Sequence, residues 1–368
     1  MADSRLHQLS ALGQSVWIDF LSRPLIHEGG LESLMREDAV VGVTSNPTIF
    51  QKAISESDAY DDQLREVLTE EQDPKEVFLK LAVKDVQDAC DLLRPVWDGG
   101  HGQDGYVSIE VDPNLAFDTD GTIGEAARLH RLVDRPNCFV KIPGTKDGLP
   151  AIEEMIARGK NINVTLIFSL QRYAEVVEAH HRGLERLVES GGDPSKVASV
   201  ASFFVSRVDT EANRRLDEVG APDDLKGKLA VANAKLAYQR YKELFSGPRW
   251  DALAAKGACT QRCLWASTST KNPAYSDVLY VDELIGPETV NTMPEDTIEA
   301  FQDHGEVALT LEQDLDEARR VFDRIAEAGV GYDDVVVTLE EEGVQKFSDS
   351  FAELLDGVSA KRGELVSA

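Results

Sequence analysis

One lysine sits where lysines are rarely found. Lys141 follows Cys-Phe-Val and precedes Ile-Pro-Gly-Thr, so it falls inside or at the end of a buried strand. A lysine is seldom fully buried without a role. Desolvation makes an amine more often neutral, and therefore nucleophilic, near pH 7. Such an amine can add to a carbonyl and form a Schiff base. The alternative is a lysine that snorkels to solvent or pairs with Glu110.

Schiff-base chemistry needs protons moved as the carbinolamine forms and collapses, and again when a carbon–carbon bond breaks. Asp19 and Glu110 are the acidic candidates for that work, although either could instead hold a loop amide. Asn46, in Thr-Ser-Asn-Pro-Thr, and Asn163 could hold substrate hydroxyls. Ser-Asn-Pro is also a common turn entry. Arg207, just after Ser-Phe-Phe-Val-Ser, and Lys271, in Ser-Thr-Ser-Thr-Lys-Asn-Pro, are candidates for a phosphate. Arginine offers a planar fork and lysine a point charge. Lys271 could equally be a loop charge facing solvent, and Lys146 in Gly-Thr-Lys-Asp-Gly reads as a rim residue.

These residues need elements to bring them together. Short Val-, Ile- and Phe-rich runs occur at Ser15 to Asp19, Ala39 to Val43, Tyr106 to Val111 and Cys138 to Ile142. Others follow at Asn161 to Leu166, Val197 to Phe204, Arg262 to Ser267 and, weakly, Glu288 to Met293. Stretches with helical spacing lie between them. The alternation predicts an α/β fold, a single (β/α)8 TIM barrel. Extra helices are expected after the second strand, from Gln51 to Val96, and at the C-terminus. No linker marks a second domain, so residues 1–368 read as one unit with helices from about 295 to 368 packed on the barrel. Asp73-Pro74 is a helix start, and Leu315 to Gly329 ends on a glycine cap. In such a barrel the C-terminal strand ends build the site. Strand by strand, those ends give Asp19, Asn46, Glu110, Lys141, Asn163 with Thr165, Ser202 and Ser267. A polar layer of that kind costs free energy unless satisfied.

Composition closes off other classes. The formal charge is −28, from 38 basic and 66 acidic residues, which repels nucleic acid and anionic membranes. No run of about 18 apolar residues exists, and the N-terminus lacks a secretory pattern. The cytoplasm is the default. Cys90, Cys138, Cys259 and Cys263 read as free, mostly buried thiols. Cys259 and Cys263 have no partners for a zinc site. Nucleotide-loop and metal motifs are missing, so no metal or nucleotide-loop site is expected. His180 and His181 read as surface residues of a helix. Monomer and homodimer stay open.

Five segments resemble the transaldolase family, in family order: GVTSNPTIF (42–50), SIEVDP (108–113), VKIPGT (140–145), NVTLIFS (163–169) and SFFVSRVD (202–209). The length and the STSTKNP loop are similar to the longer, actinobacterial branch. The resemblance implies a transferase of the non-oxidative pentose phosphate pathway. It would move a dihydroxyacetone unit from sedoheptulose 7-phosphate to glyceraldehyde 3-phosphate, giving erythrose 4-phosphate and fructose 6-phosphate. No cofactor is implied, because the protonated imine is itself the electron sink. Lys141 would form the Schiff base. Asp19 would take the hydroxyl proton as the carbon–carbon bond cleaves. Glu110 would act through a water held by Thr165. Asn46 and Asn163 would orient substrate, Ser202 and Phe204 would line the site, and Arg207 would bind phosphate. Many members carry an arginine two residues after the serine matching Ser267; here Ser269 stands there, and Lys271 is the next cation. The segment around Asp19, VWIDFLSR, also differs from the common form. Segments after the eighth strand are candidates for a cover over the intermediate. Two rivals remain at this point: a Schiff-base aldolase that releases free dihydroxyacetone, and a non-catalytic sugar-phosphate-binding barrel.

Overall fold

The structure is a computed structural model and describes residues 4–55 and 57–367. Eight parallel strands close into a barrel in sequence order. They are β1 (Gln14–Ile18), β2 (Val40–Val43), β3 (Tyr106–Glu110) and β4 (Cys138–Pro143), then β5 (Ile162–Ile167), β6 (Ser199–Phe204), β7 (Arg262–Ala266) and β8 (Thr289–Met293). Each expected strand is present within two residues of its expected ends, including the weak last one. β8 closes the ring by pairing with β1, Val16 opposite Asn291.

The floor of the barrel explains why it can close. Trp17, Tyr106 and Phe139, from β1, β3 and β4, bring their rings together in the interior. Tyr106 stacks on Phe139 at 4.2 Å, and Trp17 lies 6.0 Å from Phe139. Gly42 makes room for that plug, since a Cβ there would sit 2.4 Å from the Trp17 indole. Below the rings, Asp104 accepts from Trp17 Nε1 and pairs with Arg262, both at 3.0 Å. The barrel interior is therefore plugged by rings at this end, with the Arg262 charge neutralised by Asp104, while the candidate site residues gather at the other end.

The connection after β2 holds helices Pro47–Ser55, Asp61–Val67 and Pro74–Gly99. It begins at Pro47, earlier than expected, because Asn46 Oδ1 accepts from Ile49 N at 3.0 Å and caps the first turn. Asp73 caps the long helix and Pro74 opens it. The stretch from Asp223 to Phe245 carries helical spacing in the sequence, yet it is broken in the fold. Gly227 takes φ +69°, and the helix proper runs Leu229–Leu244. Leu315–Glu327 ends near Gly329 at φ +91°.

The last helix, Tyr332–Ser367, crosses the barrel. Val344, Phe347, Phe351, Leu354 and Val358 form its buried stripe. Tyr332 Oη donates to Asn233 Oδ1 at 2.7 Å and accepts from Leu170 N at 3.1 Å. Arg172 pairs with Glu340 at 3.2 Å. At Gly343 a Cβ would approach Leu166 to 3.1 Å, so the helix lies close on the end of β5.

His180 and His181 correct the sequence reading. They are not surface residues: their relative exposures are 0% and 5%. His181 stacks on Trp250 at 5.3 Å, and both rings meet Phe245 edge-on. The doublet belongs to an aromatic cluster between the Leu170–Glu189 helix and the Pro248–Ala254 helix. Burial pushes their pKa values down to about 3 and about 4. Of the cysteines, Cys90, Cys138 and Cys263 are buried, Cys259 is exposed, and all are free.

Candidate active site

Parallel pairing sets the site's register. Glu110 is opposite Lys141, Lys141 opposite Asn163, and Pro143 opposite Thr165. Ladder partners on neighbouring parallel strands point to the same face. One polar row therefore crosses β3 to β5 facing inward. Lys141 Nζ lies 3.4 Å from Glu110 Oε2 and donates to Ser45 O at 2.9 Å. Their side chains are 7% and 5% exposed. Burial raises the Glu110 carboxyl above the ordinary glutamate range, and the Lys141 charge opposes that rise. Asn163 Nδ2 donates to Ser108 Oγ at 3.2 Å, and its Oδ1 accepts from Ser202 Oγ at 2.7 Å.

Above this row lies a cavity of about 140 Å³. Asp19, Asn46, Lys141, Thr165, Ser202, Phe204, Arg207, Ser267 and Lys271 all reach its wall. Glu110 and Asn163 are absent from the wall and sit behind Lys141 and Ser202. A larger cavity, about 1200 Å³, opens at the opposite end around Tyr106, Phe139 and Arg262. Lys141, Asp19 and Glu110 are not there. Arg262 is tied to Asp104 and Arg135 to Asp91, so volume does not locate the chemistry.

Asp19 is half-buried and lines the cavity. Thr44 Oγ1 donates to its Oδ1 at 2.6 Å and meets Thr292 Oγ1 at 2.7 Å. Desolvation raises the Asp19 pKa; Lys141, the Thr44 bond, Lys271 and Arg207 pull it back. Both Glu110 carboxyl oxygens and Thr165 Oγ1 are buried without a hydrogen bond from the described protein groups.

The cations occupy the other side. Arg207 is the second residue of the Ser206–Glu218 helix, and its guanidinium lies 5.0 Å from the Phe204 ring and 5.8 Å from Phe347. Burial pushes its pKa down, against the pull of Asp19 and Glu110. Its Nη1 is buried and unpaired among the described residues. Lys271 is exposed at the rim, and its Nζ donates to Ser269 Oγ at 2.7 Å. Ser267 takes φ +56°, an uncommon conformation for a residue with a side chain. That turns the chain out of β7, and its hydroxyl meets Ser206 Oγ at 2.9 Å. Leu166, φ +59°, sits at a pairing irregularity between Val164 and Ile167, next to Thr165.

Sequence reasoning missed Thr44, Thr292 and Phe347. Thr44 stands inside the quoted Thr-Ser-Asn-Pro run. Phe347 reads as one more member of an apolar helical stripe, and nothing local separates it from Val344 or Phe351.

Comparison with known proteins adds an independent line. Residues 16–358 match the family model described as Transaldolase/Fructose-6-phosphate aldolase. The chain is 54% identical over 361 residues to a transaldolase of Frankia alni, covering 97% of each. It is 54% identical over 356 residues to a transaldolase of Acidothermus cellulolyticus, covering 96% of each. A transaldolase of Mycolicibacterium paratuberculosis is 51% identical over 362 residues, again with 97% of each covered.

Proposed function

The chain belongs to the transaldolase/fructose-6-phosphate aldolase family, and on that premise we propose that it moves a dihydroxyacetone unit between sugar phosphates through Lys141. Sedoheptulose 7-phosphate is the donor and glyceraldehyde 3-phosphate the acceptor. The observation that carries the reading is one amine held between the Glu110 carboxyl and the Ser45 carbonyl, facing a cavity with Asp19 and two cations.

Lys141 Nζ attacks C2 of the ketose. Glu110, with its proton held to higher pH by burial, protonates the carbinolamine hydroxyl, which leaves as water. A water between Glu110 and Thr165 is the proton carrier, because Thr165 Oγ1 and the Glu110 carboxyl oxygens are buried without a hydrogen bond among the described residues, Glu110 being held only by its ion pair with Lys141. Asp19 takes the C4 hydroxyl proton as the C3–C4 bond breaks, and the iminium accepts the electron pair. Erythrose 4-phosphate leaves. The three-carbon enamine then adds to the aldehyde of glyceraldehyde 3-phosphate, and the steps reverse to free fructose 6-phosphate. Asn46 and Asn163 orient hydroxyls, and Ser202 with Phe204 and Ser267 line the three-carbon unit. Arg207 and Lys271 receive the phosphate. Among the described residues no helix is long and apolar enough to cross a membrane. The four free thiols fit a reducing, cytoplasmic setting.

Reductive trapping tests the reading. Incubation with fructose 6-phosphate followed by borohydride should leave a three-carbon adduct on Lys141, found by peptide mass spectrometry. No adduct on the folded protein, or one on another lysine, would overturn it. Adding erythrose 4-phosphate then separates transfer, which yields sedoheptulose 7-phosphate, from release of free dihydroxyacetone.

A further inference from the structure

We infer that Phe347, delivered by the C-terminal helix, is the cover that keeps water from the covalent intermediate and so sets the ratio of transfer to dihydroxyacetone release. The inference rests on the Schiff-base reading of Lys141. Phe347 lies more than two hundred residues from Lys141 in sequence, on an element outside the eight strand–helix units, yet its ring lines the same cavity. It is 7% exposed. The Lys141 Nζ lies 5.9 Å from the ring centroid and the Arg207 guanidinium 5.8 Å. Its ring also meets Phe204 edge-on at 6.2 Å. A single apolar plate thus spans the amine, the phosphate-facing cation and the ring beside them.

The plate is held at a fixed height. On one side Gly343 seats the helix on Leu166 and Phe168. On the other, Thr48 Oγ1 donates to Ser350 Oγ at 3.0 Å, tying the helix to the segment that starts at Asn46. Phe347 lies between these two anchors.

The chemistry at stake balances simply. If the three-carbon enamine is protonated at carbon and water adds across the C=N bond, Lys141 is regenerated and dihydroxyacetone departs. Fructose 6-phosphate is then split into dihydroxyacetone and glyceraldehyde 3-phosphate with no acceptor. A ring over the nitrogen hinders approach of that water, and its π face favours the iminium cation within the distance at which such contacts act.

The test compares Phe347→Ala, Phe347→Val and Phe347→Leu with the parent enzyme. With fructose 6-phosphate and erythrose 4-phosphate, free dihydroxyacetone and sedoheptulose 7-phosphate are measured in one reaction. The Ala variant should raise the release-to-transfer ratio by about tenfold, the equivalent of ~1.4 kcal/mol between competing steps. Val should fall between, and Leu, which keeps the bulk, should stay within about twofold of the parent. If Ala does not fold, the Val ratio decides. A ratio unchanged in the smaller variants overturns the inference, as does a Leu variant that leaks as much as Ala. Borohydride trapping on each variant keeps the two claims apart: adduct on Lys141 with an unchanged ratio removes the cover alone, whereas no adduct in the parent removes the Schiff-base reading.

Discussion

At the scale of single residues, the site is a problem of keeping charges in place away from water. In the proposed mechanism Asp19 is a carboxylate that takes a hydroxyl proton, yet burial favours its acid form. The acid limb of kcat should therefore lie above the ordinary aspartate range, with activity lost as pH falls through it. Asp19→Asn should lower kcat by about 10²–10⁴ and abolish that limb, while borohydride still labels Lys141. A limb that persists in the variant would assign it to another group. The two cations differ in the same terms. Lys271 is exposed at the rim, so Lys271→Ala should cost about 1 kcal/mol, a factor of ~5 in KM for phosphorylated substrates. Arg207 is half-buried, lines the cavity and has a buried nitrogen without a hydrogen-bond partner among the described residues. Arg207→Ala should cost about 3 kcal/mol, more than 100-fold. An unchanged KM in Lys271→Ala would remove it from the phosphate site. Lys141 was legible because a lysine inside an apolar strand is an anomaly in one dimension. Thr44 was not, because a threonine in a turn looks the same whether or not it holds a buried carboxylate.

At the scale of elements, the loop after β7 and the Ser206–Glu218 helix form one grip. Asp209 lies two residues beyond Arg207, accepts from Tyr280 Oη at 2.9 Å and from Ala230 N at 2.8 Å. Burial raises its pKa to about 6. Asn213 Nδ2 donates to Tyr275 Oη at 3.0 Å. The loop carrying Lys271 is thus pinned to the helix carrying Arg207. Tyr280→Phe removes one donor from a buried carboxylate and leaves the ring. It should raise KM for phosphorylated substrates several-fold, about 1–2 kcal/mol, with kcat held and no change toward unphosphorylated dihydroxyacetone donors. An equal loss with both donor types would mean general loosening rather than a phosphate grip. The strands were readable because β-branched runs alternate with helical spacing, and both periods are local. The break at Gly227 was harder to see, since a single glycine inside a helical pattern is often tolerated. The burial of His180 and His181 was hidden because a helix has two faces. Only the packing of Phe245 and Trp250 decides which one is covered.

At the scale of the whole molecule, pH acts on stability in opposite directions. Net charge is −28 at pH 7, so acidification toward the pI of about 4.6 relieves self-repulsion. Buried carboxyls with raised values, Asp209 among them, also bind protons more readily when folded and gain stability as pH falls. The histidine doublet opposes both. His180 and His181 titrate at about 3 and about 4 in the fold but near 6.5 in an unfolded chain. Between those values the unfolded state holds more protons, so their contribution is complete above pH ~6.5 and is lost as pH falls below it. The groups facing them are Phe245, Trp250 and the Arg249 cluster with Glu178 and Glu185. His180 offers the cleaner test, since neither ring nitrogen has a hydrogen-bond partner among the described residues. His180→Phe then deletes a titration without breaking a bond. Thermal unfolding of parent and variant should be compared at pH 7 and pH 5 in 1 M NaCl, where surface repulsion is screened to about 3 Å. The variant should gain on the parent by up to ~2 kcal/mol between pH 6.5 and 5, read as a smaller fall, or a larger rise, in Tm. Parallel curves would mean that the ring is already protonated inside the fold or that the cluster opens before it titrates.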